Sequence, residues 1–169
     1  VGLLLPEFEM YLADSGIPTV VWGTPSRHSD EITYVDVNHK LGAVLAVEHL
    51  FARGCKRVAT ITGDSSASMA ARLRYDGYLE ALVARGQRTD LRLVAHGDFK
   101  REAGSRAMKE LLSRAPDVDG VFAANDEMAL GAIDAILDAG LRVPQDIAVV
   151  GFYNAAILTP LTLQLTSIE

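Results

Sequence analysis

Apolar and polar positions follow two different periods along this chain. Continuous apolar runs rich in Val and Ile occupy residues 2–5, 19–22, 34–37, 57–62, 91–95, 120–124 and 147–150. A strand with one wet face alternates, whereas a parallel strand covered on both faces is apolar throughout. The runs therefore predict buried parallel strands. Between them the spacing becomes helical. After Asn125, the residues Ala129, Ala132, Ile133, Ile136 and Leu137 share one helical face, and Glu127, Asp134 and Asp138 fall off it. Gly54, Gly86 and Gly140 each close a helical stretch, as a left-handed C-terminal position favours. Pro116 and Pro144 follow helix ends and prevent continuation. Repeated strand–helix–strand order predicts an α/β fold with parallel sheets flanked by helices.

In such sheets ligands bind beyond the carboxyl ends of the strands, where helix N-termini also offer free N–H groups. The residues at those ends are polar here. The run 57–62 leads into Gly63-Asp64-Ser65-Ser66, and 91–95 into His96-Gly97-Asp98-Phe99. The run 120–124 leads into Asn125-Asp126-Glu127, and 147–150 into Gly151-Phe152-Tyr153-Asn154. Capping alone accounts for many such Asp, Asn and Ser residues. Asp126 is expected to cap and no more. Asn125 with Glu127 is harder to explain as capping alone, so both are candidates to face a ligand.

Composition narrows the partners. At 169 residues the chain is long enough for one domain or for two lobes, and 49% hydrophobic with 22% charged residues is the balance of a water-soluble globular protein. The net charge of −6 argues against direct nucleic-acid binding, which needs a concentrated basic face. One cysteine excludes an internal disulfide and fits a reducing, cytoplasmic compartment. No apolar run approaches the roughly 20 residues of a membrane span. The chain opens at "VGLLLP" without an initiator Met or signal peptide and stops at "LTSIE" within strand-like sequence, so it is expected to be a fragment.

No catalytic signature is present: no G-x-G-x-x-G, G-x-x-x-x-G-K-[ST], G-x-S-x-G or H-E-x-x-H. His28, His39, His49 and His96 show no metal-ligand spacing with Cys55. The flanking Lys56 and Arg57 would lower the Cys55 pKa, but no base partner is identifiable, so an ordinary thiol in a turn is expected. Binding without metal or cofactor is expected rather than catalysis.

Five stretches in order resemble one family over nearly the whole chain: "YVDVNHKLGAVLAVEHLFARGCKRVATITGD", "AARLRYDGYLEAL", "HGDFKREAGSRAMKELL", "VFAANDEMALGAIDAILDAGLRVPQDIAVVGFYN" and "LTSIE". They are similar to the effector-binding domain of the lactose/galactose-repressor family of bacterial transcriptional regulators. The resemblance implies two Rossmann-like lobes, as in periplasmic sugar-binding proteins, with a small polar effector in the cleft between them. The N-terminal lobe would be incomplete. Residues 1–54 would belong to it, 55–162 would form the C-terminal lobe, and 163–169 would cross back. The resemblance also implies a homodimer, with Leu130 at the subunit contact. Operator DNA would be bound by a helix-turn-helix headpiece outside this sequence.

By the same resemblance, Arg74 takes the effector-clamping position, where a guanidinium offers five donors in a rigid fork. Asn125 matches a ligand-contacting asparagine, and Glu127 a position where some members use Gln or Glu. Phe99 matches an aromatic platform, and Asp36 in "YVDVN" an acidic position near the cleft. The arginine is expected to face a solvated cleft. Two departures stand out. Tyr153 replaces the first Asp of the "GFDD" found in many members, which puts the usual sugar-hydroxyl pattern in doubt, and Cys55 replaces a His. The stretches "PEFEMYLADSGIP" and "FYNAAILTPLT" are also short for the family. A periplasmic sugar-binding protein of the same fold is the alternative, which an upstream signal peptide would favour.

Overall fold

The computed structural model describes residues 6–25, 30–64, 68–154 and 164–169. The strand expected at 2–5, Ser65-Ser66 and the start of the crossover at 163 lie outside them.

Two parallel sheets result. A helix α1 (Pro6–Asp14) precedes β1 (Val20–Trp22) and β2 (Thr33–Val35), which pair with each other. Then come α2 (His39–Ala52), β3 (Val58–Thr62), α3 (Met69–Ala84), a 3-10 turn at Leu91–Leu93, and β4 (Val94–His96). The chain continues through α4 (Arg101–Arg114), β5 (Gly120–Ala123), α5 (Asp126–Asp138), β6 (Ala148–Phe152) and β7 (Thr166–Ile168). The second sheet has five strands in the order β4-β3-β5-β6-β7, all parallel.

Side-chain alternation splits the central strands between two cores. Val58, Phe122, Val150 and Phe152 pack with Ala43, Val47, Leu50, Tyr78 and Leu82 of α2 and α3. Ala59, Ile61, Val121, Ala123 and Val149 pack with Met108, Leu111, Met128, Ile133 and Ile136 of α4 and α5. Both faces of the sheet are thus covered, which is why its strands are apolar runs. Gly54, Gly86 and Gly140 all take positive φ after the helices they close.

Several boundaries differ from expectation. The first residues of the 91–95 run form a 3-10 turn, because the Asp90 carboxylate accepts from the Arg92 N–H at 3.0 Å and competes with extended pairing. Helix α2, expected in the first lobe, packs on the five-stranded sheet through Ala43, Ala46, Val47 and Leu50. Strand β7, expected to cross back, is that sheet's edge and pairs with β6. What stands apart is β1–β2, whose burial is slight on both faces. Leu130, expected at a subunit contact, is 2% exposed within the chain itself. Leu130 lies on the buried arc of α5 with Met128, Ala129, Ile133 and Ile136, while Leu137 and Asp138 carry its exposed side.

Candidate functional site

Strand order reverses direction at β3 and β5: β4 follows on one side of β3, while β6 and β7 follow on the other side of β5. At such a switch point the loops leaving adjacent strands diverge, opening a crevice at their carboxyl ends. The loops there are Gly63 onward after β3 and Ala124-Asn125 after β5.

Arg74 of α3 reaches this crevice from the α2–α3 side. One Nη donates to the Ala124 carbonyl, and Nη2 lies 3.1 Å from His39 Nδ1. The guanidinium carbon sits 4.1 Å from the Phe152 ring centroid and 4.4 Å from that of Tyr153. Arg74 is only 1% exposed, and among the described residues its buried Nε has no hydrogen-bond partner. The expectation of an arginine facing solvent is therefore corrected: it is walled in by two rings and a carbonyl. Burial pushes its pKa down, while Tyr153, Asp36 and Asp126 pull it up.

Asp36 and His39 extend the network toward β1–β2. The Asp36 carboxylate accepts from the Thr24 N–H (2.8 Å), the Thr24 hydroxyl (2.7 Å) and the Val37 N–H (2.8 Å). His39 Nε2 lies 3.1 Å from the same carboxylate. Burial would raise the Asp36 pKa, but the hydrogen bonds from Thr24 and Val37 and the nearby His39 hold it below its ordinary value. Burial and the Arg74 charge push His39 down, against the opposing pull of Asp36.

On the α4–α5 side, Asn125 does two jobs. Its Oδ1 caps α5 by accepting from the Met128 N–H at 3.0 Å, and its Nδ2 donates to the Phe99 carbonyl at 2.8 Å. That second bond holds Phe99 at φ 68°, a conformation costly for a bulky residue. The Phe99 ring lies over Gly63, where a Cβ would come within 2.1 Å of it. Tyr153 (φ 97°) and Asn154 (φ 50°) share this left-handed region, so all three non-glycine cases among the described residues sit at the carboxyl edge of one sheet.

The structure thus gathers Arg74, Asp36 and Tyr153 into one cluster and places Asn125 with Phe99 beside it. Glu127 is not drawn in. It is half-buried in the first turn of α5, makes no hydrogen bond among the described residues, and acts electrostatically on Arg101, which pairs with Asp134 at 2.7 Å. Asp126 does more than cap. It is 4% exposed, accepts from the Ser167 hydroxyl of β7, and lies where a side chain on Gly151 would be. His39 and Phe152 were missed as site residues, although "DVNH" places His39 one helical turn after Asp36. Cys55 is pushed up by burial and Asp119, not lowered by its basic neighbours, and its thiol donates to the Asp119 carbonyl.

No group of three His, Cys, Asp or Glu side chains among the described residues could hold a metal ion, and no described helix is long and apolar enough to cross a membrane. A cavity of about 350 Å³ lies elsewhere, at the amino ends of β6 and β7, against His49, Arg53, Ile133, Val149 and Leu165.

A family described as a periplasmic binding protein-like domain matches residues 47–169. The HTH-type transcriptional regulator CelR of Thermobifida fusca is 41% identical over 94% of this chain and 46% of its own length. The ribose operon repressor of Escherichia coli K12 is 37% identical over 99% of this chain and 52% of its own. The solved structure of a transcriptional regulator CelR–cellobiose complex superposes with a TM-score of 0.79 at 35% identity, covering 89% of this chain and 53% of that one. The chain spans about half the length of the curated relatives it matches.

Proposed function

The chain belongs to the periplasmic binding protein-like domain family, in the form carried by lactose/galactose-repressor regulators, and from that premise we propose that it is the effector-sensing part of a bacterial transcriptional repressor. It binds a small polar ligand, of the sugar or nucleoside class, and works in the cytoplasm as a homodimer without enzymatic turnover. Operator DNA is bound by a headpiece outside this sequence. The periplasmic alternative has less support, since the curated relatives above are regulators.

The observation that carries the ligand reading is Arg74, a buried guanidinium at the sheet's switch point whose Nε has no partner among the described residues. A cation kept that dry is expensive unless it is used. Arg74 and Asn125 donate to ligand oxygens, Asp36 supplies acceptor character behind them, and Phe99 offers a flat apolar face. Glu127 stands outside this cluster, in the first turn of α5, and accepts only from a ligand group that reaches past Asn125. Tyr153, 46% exposed against Arg74, either stacks on the ligand or yields its place to it. Because the similar structure is that of a complex with cellobiose, cellobiose is the first probe. Calorimetric titration of the wild-type chain with cellobiose, then ribose and nucleosides, should give saturable heat for one of them. Arg74→Lys should weaken that binding by about 10-fold or more, since the bidentate fork is lost. Equal affinities for the two proteins would remove Arg74 from the ligand site.

A further inference from the structure

We propose that His39 is the positioning residue of this site: a neutral imidazole that fixes Arg74 on one side and Asp36 on the other, so that its protonation uncouples them. The consequence for ligand binding rests on the effector reading above. The coupling itself rests on geometry.

A guanidinium has only donors, so the 3.1 Å approach of Arg74 Nη2 to His39 Nδ1 requires a lone pair on Nδ1. The proton of a neutral ring then sits on Nε2, 3.0–3.1 Å from the Asp36 carboxylate. One tautomer satisfies both neighbours, and the other satisfies neither. Protonating Nδ1 would set an N–H against the N–H groups of Arg74, with two cations in contact.

The groups facing His39 are few. Asp36 comes from the segment before α2, Arg74 from α3, and the rings of Phe152 (5.9 Å) and Tyr153 (6.5 Å) from the end of β6. Asp126 acts on Arg74. Among the charged groups of the described residues, only Asp36 favours the imidazolium. Against it stand the Arg74 charge, the burial of the side chain (3% exposed), and the position of His39 as first residue of α2, where the helix dipole disfavours a cation. The neutral form prevails, as the downward shift of the ring agrees. Once protonated, His39 releases Arg74, which then keeps only the Ala124 carbonyl and the two rings.

Two measurements on the chain test this. The first is an imidazole ¹⁵N–¹H correlation across pH, which needs no ligand. His39 should show the Nε2–H tautomer near neutrality and titrate below 6.5, with the Arg74 side-chain resonances moving along the same curve. An Nδ1–H tautomer, a midpoint at or above 6.5, or Arg74 resonances indifferent to the titration would overturn the proposal. The second is cellobiose affinity against pH in wild type and His39→Gln, whose amide can accept from Arg74 and donate to Asp36 but carries no titrating proton. Wild-type affinity should fall as pH drops, by up to about tenfold per unit of pKa difference between bound and free states. The glutamine variant should bind with little pH dependence, and an equal fall in both would refute the role of His39. If cellobiose gives no heat at neutral pH, the choice of effector fails and the resonance data alone judge the coupling.

Discussion

Arg74, proposed above for ligand chemistry, is also part of the fold. Its truncation to alanine leaves the Ala124 carbonyl and His39 Nδ1 without their donor and opens a void beside Phe152. Buried groups stripped of a partner cost about 1–3 kcal/mol each, and the void adds more. Arg74→Ala should therefore lose about 3–5 kcal/mol in urea denaturation. Arg74→Met, which fills the space without a charge, should cost less while still abolishing sugar affinity. A loss under about 1 kcal/mol for the alanine variant would mean that the pocket is wet. Asn125 allows a finer separation. Asn125→Asp keeps an acceptor for the Met128 N–H but loses the donor to the Phe99 carbonyl. It should keep its cap, lose roughly 1–2 kcal/mol from the clamp, and weaken any ligand that stacks on Phe99. Equal stability of Asn125→Asp and wild type would show that the clamp is idle. The sequence brought Phe99, Asn125 and Tyr153 forward because each follows an apolar run, and Arg74 through a resemblance carried by one helix. His39 and Asp126 were not brought forward. Their roles depend on Arg74 and Ser167, partners 35 and 41 residues away in the chain, and local spacing shows only the contact of His39 with Asp36.

Among the elements, the helix pairs set how deep the crevice can be. Helices α4 and α5 cross at Gly104 and Gly131, where each backbone lies against the other helix. A Cβ on Gly131 would stand 1.9 Å from the Arg101 carbonyl oxygen, and one on Gly104 would stand 2.3 Å from that of Met128. Helix propensity alone predicts that Gly131→Ala gains about 1 kcal/mol. The collision is with backbone, which cannot swing aside, and overpacking of this kind costs typically about 1–3 kcal/mol. Packing should win, so Gly131→Ala is expected to lower the thermal midpoint by several degrees. A raised midpoint would show that the helices separate freely. The existence of the central strands was legible from the apolar runs, since a sheet covered on both faces leaves no alternation to misread. The lobe boundary was not. Whether α2 packs on one sheet or the other depends on which partner its apolar face meets, and the helix has that face in either case.

At the scale of the whole molecule, the two sheets differ in how firmly they are held. The five-stranded sheet lies between two cores, whereas among the described residues β1 and β2 pack chiefly on each other and leave Val20, Trp22 and Val35 more than half exposed. A two-stranded sheet is marginal by itself. It is tied to the rest partly through Thr24, Asp36 and His39. Hydrogen exchange should accordingly be much faster for amides of 20–22 and 33–35 than for those of 58–62 and 120–123. Asp36→Asn should quicken exchange in the first set by roughly 10- to 150-fold, for a loss of about 1.5–3 kcal/mol of charged hydrogen bonding, and leave the second set unchanged. Acid should act in the same direction, in two steps. The His39 pKa is depressed in the fold, so the stability it contributes is complete above 6.5 and is lost as pH falls through the folded value. Asp36 is also depressed, so its share is complete above 3.8 and is lost below. After correction for intrinsic rates, protection of β1 and β2 should therefore decline first below pH 6.5 and again below 3.8, while β3 and β5 hold longer. Uniform loss across both sheets would mean that they open as one cooperative unit, and that the Thr24–Asp36–His39–Arg74 chain is not the tie between them.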